Sequence, residues 1–350
     1  MDQNVTSPAG EPPATLTEGE IASAFQAVLG RPPTGPADLA YHLSLGFRDQ
    51  RELGTYLLCT DEFRLRFDAL EAAGRAAPGR RPTGSNRPVT VFLGDRVLTQ
   101  THRGLKIYCV PHDVDLTPHL IQTGEWERHV EQALQRLLRP GQRAADIGAN
   151  IGYHTLTLAA AVGPTGEVHA FEANPALHEL LYATIFVNGA TPWVRLHRSA
   201  VMDRPGSIVL AAQPMHFGSG NVVPAAGMPQ QYHAEYSRQV EVPAVTLDAA
   251  LPPGLALDLI RIDIEGSEPS ALRGGEAVIR RSPNLRIVSE WAVGMMAARA
   301  DVPGFVAWLR ELGFGFWRIG GEGRLDPVAP EVLPRLPHSD LVISRDDPGR

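Results

Sequence analysis

The sequence predicts an α/β fold built on a doubly wound, mostly parallel sheet, and three observations carry that expectation. Short apolar runs at 143–147, 166–172, 193–199, 257–263 and 285–290 have the length and the Val/Ile content of buried strands. Apolar stretches with no internal breaker at 152–162 and 175–188 separate the first three, the alternation that builds parallel sheets. Between the first strand and its helix lies Asp146-Ile-Gly148-Ala-Asn150-Ile-Gly152, a turn at the kind of corner where open α/β sheets bind ligands.

Taken in order, residues 1–16 are Pro- and Thr-rich and are expected to be disordered. Residues 17–72 read as a small all-helical module, with helices near 18–29, 37–46, 51–57 and 61–72. Its first helix carries the stripe Ile21, Ala24, Phe25, Val28 and Leu29, and Tyr41 and His42 read as packing residues. A basic Gly/Pro linker follows at 73–88. Residues 89–140 read as a β-hairpin (89–98 and 104–110), an irregular stretch (113–124) and a lead-in amphipathic helix (125–138). The α/β domain spans 141–350, interrupted at 204–245 by a Gly- and Pro-rich, loop-like insertion that ends in a strand-like run at 239–245. It lies on the edge of the glycine turn, where it is placed to cover an acceptor. A helix at 300–312 and strands at 315–319 and 340–344 close the chain, putting one antiparallel strand into the sheet.

A chain of 350 residues suggests two domains, or one large domain with an appendage, and its 43% hydrophobic content supports a sizeable core. The formal net charge of −7 argues against a nucleic-acid partner and leaves neutral or cationic small molecules open. Cys59 and Cys109 lack metal-ligand spacing and suit a reducing compartment. The first residues show no basic and apolar leader, and no apolar run approaches a membrane span, so the sequence reads as a cytoplasmic protein without one.

Two carboxylate clusters carry chemistry. Asp146 at a strand's carboxyl end repels pyrophosphate but suits a sulfonium or ammonium. Gly148 and Gly152 allow close backbone approach, and the following helix offers its first N–H groups. Glu172 ends the second strand at the interval where an acid grips ribose hydroxyls. With no G-x-G-x-x-G present, the pair suggests S-adenosylmethionine rather than NAD. The bland alternative makes Asp146 a helix cap and Glu172 a surface residue. The second cluster is Arg261-Ile-Asp263-Ile-Glu265-Gly266-Ser267-Glu268, in which Asp263 and Glu265 share one side if the chain stays extended. Ser267 is placed to cap the next helix, and Glu268 is either functional or a first-turn acid favoured by the macrodipole. A cationic cofactor, a sugar hydroxyl, a metal ion or Arg261 would each justify so many acids. Glu290 ends the next strand toward the same crevice, and His216 stands out in the insertion. Asp263 is the first choice of general base, Glu265 the second and His216 the third. Mg²⁺ held by the carboxylates is an alternative that no spacing supports.

These motifs, with Ala170-Phe-Glu172-Ala-Asn-Pro175 and Val245-Thr-Leu-Asp248, occur in an order that resembles the FkbM family over roughly residues 105–345. That resemblance implies a Rossmann-like, S-adenosylmethionine-dependent O-methyltransferase releasing S-adenosylhomocysteine and acting on a hydroxyl of a sugar, glycan, glycolipid or natural product. It places Gly148, Asn150 and Gly152 at the methionine end, Glu172 at the ribose, Ser199 and Ala200 near the adenine, and the acceptor over Asp263 and Glu265. Arg261 departs from the Lys usual there, keeping charge but not reach. Phe25-Gln-Ala-Val-Leu-Gly30-Arg31 and Thr60-Asp61-Glu62-Phe63-Arg64 resemble the helical module DUF4214, which implies a protein partner or oligomer contact. The rival readings are methylation of an amide nitrogen or a carboxylate, a degenerate domain serving as a glycan- or protein-binding adaptor, and an NAD-dependent oxidoreductase.

Overall fold

A computed structural model of the chain describes residues 17–19, 21–22, 25, 33–44, 53, 57, 89–213, 216–222 and 238–349. It divides into two compact units, 1–86 with 90–98, and 87–89 with 99–350. The tail expected at 1–16, most of the DUF4214-like module and the linker at 73–88 lie outside the described residues.

In the first unit Ile21, Phe25, Leu53 and Leu57 are buried. Helix α1 (Pro36–Ser44) carries a buried His42, whose Nδ1 donates to the Asp38 carbonyl at 2.8 Å. The Phe25 ring meets the His42 ring edge-on at 4.7 Å, the packing role expected of His42. Strands β1 (Val91–Phe92) and β2 (Val97–Gln100) pair antiparallel, Val91 with Leu98 and Phe92 with Val97.

The second unit begins with β3 (Lys106–Cys109), α2 (Leu116–Thr123) and α3 (Arg128–Leu137). The stretch 113–124 is therefore not irregular throughout. Asp113 Oδ2 accepts from Thr117 N at 2.7 Å and starts α2, and Gly124, at φ 70, ends it. Then come β4 (Arg143–Ile147), α4 (Tyr153–Val162), β5 (Glu167–Phe171), α5 (Pro175–Val187), β6 (Val194–His197) and β7 (Ala200–Val201). The described residues of the insertion are largely strand rather than loop, and the strand-like run expected at 239–245 is one of these strands. The insertion forms β8 (Gly206–Gln213), β9 (His216–Val222) and β10 (Arg238–Val245), which join β7 in a second sheet of order β7-β10-β8-β9. Its glycines and prolines mask the alternation that a paired strand shows. Beyond it run α6 (Leu247–Ala250), β11 (Leu259–Ile262), α7 (Glu268–Arg273), α8 (Glu276–Arg281), β12 (Arg286–Trp291), α9 (Val293–Ala297) and α10 (Val302–Glu311). Strands β13 (Gly315–Ile319), β14 (Leu325–Pro327) and β15 (Ser339–Ser344) finish the unit.

The main sheet has eight strands in the order β14-β13-β15-β12-β11-β4-β5-β6. Its central strands β12, β11, β4, β5 and β6 are parallel, and β15 runs antiparallel between β12 and β13. Strand alternation sends Ala145, Ile147, Ile260, Ile262 and Ile287 to one face, where they pack with Phe305, Trp308 and Leu309 of α10. Ala144, Leu259, Val288 and Val342 go to the other and meet Leu134 of α3, Leu156 of α4 and Leu181 of α5. Each of the Val, Leu, Ile and Phe side chains among them contributes about 1.5–3 kcal/mol by leaving water. Both faces being covered explains why these strands carry apolar residues on both sides. Among the described residues no helix is long and apolar enough to cross a membrane.

Candidate active site

The strand order reverses between β4 and β11, the position where open α/β sheets form a ligand crevice at the strands' carboxyl ends. The two strands pair in parallel with Asp146 beside Arg261 and Ile147 beside Ile262. The glycine turn leaves β4 here, with left-handed backbone at Gly148 (φ 84), Asn150 (φ 50) and Gly152 (φ 97). Both glycines are demanded by packing rather than by a ligand. A Cβ on Gly148 would overlap the Asp263 carbonyl oxygen, and one on Gly152 would sit 2.8 Å from Leu181 Cδ1. The turn's amides also have partners within the chain. Those of Gly148 and Ala149 donate to the Phe171 carbonyl at 3.0 and 2.9 Å, and that of Gly152 to the Ala149 carbonyl at 2.9 Å.

Glu172 ends β5 as expected and spans the turn. Its Oε2 accepts from the Asn150 amide at 2.8 Å and its Oε1 from the Asn174 amide at 2.7 Å. Burial pushes this carboxyl up to about 7, against the pull of those amides. Glu172 lines a small cleft of about 80 Å³ together with Gly148, Asn150, Phe171, Ser199, Ala200 and Met202. Gly152 lines neither this cleft nor the larger cavity beside it.

Asp146 is fully buried and lines neither cavity. Its Oδ2 accepts from Thr155 Oγ1 at 2.5 Å, and its Oδ1 lies 3.5 Å from Arg261 Nη1. Arg261 is the hub of the site. Its Nη1 donates to the Gly148 carbonyl at 2.9 Å, and its Nη2 lies 2.5 Å from Asp263 Oδ2 and 3.8 Å from Glu127 Oε2. Asp146 therefore acts on the site through Arg261. The guanidinium fork reaches several oxygens at once, which a lysine ammonium on a single stem does not. Burial pushes the Asp263 carboxyl up, and Arg261 pulls it back.

The chain does not stay extended after β11. Glu265 (φ 56) and Gly266 (φ 91) turn it, and the Met295 backbone leaves no room for a Cβ on Gly266. Glu268 Oε1 accepts from the Ile264 amide at 2.9 Å and the Gly266 amide at 3.3 Å, fastening that turn. Ser267 occupies the N-cap position of α7, but its hydroxyl caps nothing and has no partner among the described residues. The turn still brings Asp263 and Glu265 into one cavity of about 530 Å³, lined also by Trp126, Glu127, His154, Arg261, Glu290 and His338. Burial, then Asp263 and Glu268, push Glu265 up to about 8. Burial, with the same carboxylates nearby, pushes Glu290 up to about 10. His338 Nε2 lies 2.8 Å from Glu290 Oε1. His216 lies in β9, and its side chain is outside the described set. Among the described residues no three His, Cys, Asp or Glu side chains are grouped to hold a metal ion.

Sequence reasoning missed Glu127 and His154. Glu127 sits at φ 43, and its Oε2 lies 2.9 Å from His154 Nε2. Burial opposes its ionisation, yet His154 and Arg261 hold the carboxyl down to about 2. A polar pair, Tyr153-His154, at the head of an otherwise apolar helix was the available signal for His154. Glu127 lies far from every motif and gave none.

The mixed sheet with an inserted antiparallel strand and a crevice at its switch point defines a Rossmann-like α/β fold. Residues 146–316 match the model of the methyltransferase FkbM domain, and the chain carries a methyltransferase domain. Among curated proteins none matches this chain. Similar solved structures include a TehB-like SAM-dependent methyltransferase from Corynebacterium glutamicum (10% identity, 66% of this chain and 94% of that one, TM-score 0.38). A SAM-dependent O-methyltransferase from Thermotoga maritima aligns at 12% identity over 75% and 86%, TM-score 0.36. The O-methyltransferase TomG from Streptomyces achromogenes, involved in tomaymycin synthesis and in complex with SAM, aligns at 16% identity over 62% and 78%, TM-score 0.35. Likenesses at these scores carry no argument about chemistry.

Proposed function

We propose that the chain transfers a methyl group from S-adenosylmethionine to a hydroxyl of a sugar, glycan or natural-product acceptor. The observation that supports this best is that the small cleft and the large cavity share Gly148, Asn150, Asp263 and Glu265. A donor in one and an acceptor in the other meet only there. The residues present fit the donor. The Glu172 oxygens each accept one amide and keep lone pairs for ribose hydroxyls. Phe171, Leu177, Met202 and Leu210 offer apolar surface to the adenine beside Ser199 and Ala200. Asp263 and Glu265 suit the sulfonium and ammonium.

When bound, the sulfonium supplies an activated methyl, so the protein's contribution is alignment and removal of one proton. Alignment supplies several kcal/mol of the barrier. Asp263 takes the hydroxyl proton. Arg261 holds that carboxylate in a single position, and the Gly148 carbonyl, held by the same guanidinium, fixes the adjoining turn. Glu265 is the second candidate base. The N-terminal helical unit is assigned to a protein partner or a second copy. Asp263→Asn keeps the shape and removes the proton acceptor, so turnover with an accepted substrate falls by roughly 10²–10⁴. S-adenosylhomocysteine affinity stays within a fewfold of wild type. Full activity in this variant moves the base to Glu265.

A further inference from the structure

The wall of the large cavity carries five carboxylates, Asp115, Glu127, Asp263, Glu265 and Glu290, against Arg261 as the only Lys or Arg among its lining residues. Arg261 is already engaged by Asp146, Asp263 and Glu127. Glu265 makes no hydrogen bond or close ion pair among the described residues, and Arg299 acts on it only at longer range. Glu290 Oε1 meets His338, while its Oε2 is buried without a hydrogen-bond partner among the described residues. A bound S-adenosylmethionine brings two cationic centres and one carboxylate, so it contributes one net positive charge. That charge arrives at Asp263 and Glu265, the acids the two cavities share. Glu290 lies on the large cavity alone, on the acceptor's side. Burial keeps Glu290 protonated in the empty cavity; a neutral hydroxyl leaves it so, whereas an ammonium beside it lets it ionise.

Two further groups in the same wall favour a cationic ligand. Trp126, edge-on to His119 at 5.6 Å, offers an indole face of the kind that attracts ammonium groups. His154, 4% exposed, has a buried Nδ1 with no partner among the described residues while its Nε2 faces Glu127. It offers a polar ligand a hydrogen-bonding site beside the acids.

We propose that the acceptor is a hydroxylated amine, an amino sugar or amino alcohol, whose ammonium is held by Glu290 against Trp126. This rests on the methyl-transfer reading above. The raised carboxyl of Glu290 supports it and gives it a distinctive readout. In the empty cavity Glu290 (about 10) carries a proton at pH 6.5, and an ammonium displaces it.

The test is calorimetry on the full chain saturated with S-adenosylhomocysteine, at pH 6.5, in two buffers of different ionisation enthalpy. The probes are methyl glucosaminide, a 3-amino sugar and an open-chain amino alcohol, each beside its N-acetyl counterpart, with methyl glucoside as a neutral control. At least one amine is expected to bind tenfold or more tighter than its N-acetyl form and to release protons. Glu290→Gln is expected to abolish most of that preference and reduce the proton release, while S-adenosylhomocysteine still binds. Equal or tighter binding of the neutral probes, an amine preference untouched by Glu290→Gln, or no amine binding at all overturns the proposal. Failure of S-adenosylhomocysteine to bind overturns instead the cofactor reading beneath it.

Discussion

Removing the Arg261 guanidinium tests the site's electrostatic frame. Arg261 is 7% exposed and faces Asp146 at 0%, Asp263 at 25% and Glu127 at 29%. Arg261→Met fills a similar volume and leaves these carboxylates without their cation. Breaking a buried pair by deleting one partner costs about 3–5 kcal/mol. Asp263 and Glu127 keep some water, so the fully buried Asp146 dominates, and the low end, about 3 kcal/mol, applies. For a unit of this size that is a fall of roughly 6–12 °C in Tm. Arg261→Lys keeps the charge but not the fork, so it is expected to fall between wild type and Arg261→Met. Urea unfolding followed by tryptophan fluorescence measures all three. A midpoint for Arg261→Met that yields less than about 1 kcal/mol of loss would refute the assignment of Arg261 as the hub, because a cation holding a fully buried carboxylate is not removed so cheaply.

Two further outcomes follow from the site. Glu172→Ala is expected to weaken S-adenosylhomocysteine by about 1.5–3 kcal/mol, the worth of hydrogen bonds to a charged group; unchanged affinity in calorimetry removes Glu172 from the ribose. Stability of the ligand-free chain is expected to fall as pH rises from 7 to 9. The folded state keeps protons on Glu265 (about 8) and Glu290 (about 10) that the unfolded chain releases near its ordinary carboxylate range, so it binds more protons across that window. The lowered histidines, His169, His178 and His197, work oppositely but below that range. His129, raised by its hydrogen bond to Asp340, adds in the same sense, so the comparison is with Glu265→Gln, which is expected to flatten the Tm profile. A wild-type Tm that is flat or rises over that interval contradicts the assignment.

Legibility in the sequence followed how local the determining interactions were. Strands β4, β5, β11 and β12 declared themselves because both sheet faces are buried, so apolar residues fall on both sides of each strand. Glu172 and Asp263 were readable from their places at strand ends, where fold geometry alone sends side chains to the crevice. The contact of Asp146 with Arg261 was not legible because the two stand 115 positions apart, and only strand pairing shows that they are neighbours. The glycines were expected for a ligand's sake, yet the Asp263 carbonyl and the Leu181 side chain fill the space a Cβ would take. Of the insertion's strands only β10, the strand-like run at 239–245, was legible; Glu127, β8 and β9 depend on contacts with distant segments.

The most direct test of a methyl donor at the joined cavities is calorimetric titration of the full chain with S-adenosylhomocysteine and, separately, NAD. The expected result is saturable one-to-one binding of S-adenosylhomocysteine, weakened in Glu172→Ala, with no heat from NAD. Binding of NAD with none of S-adenosylhomocysteine contradicts it.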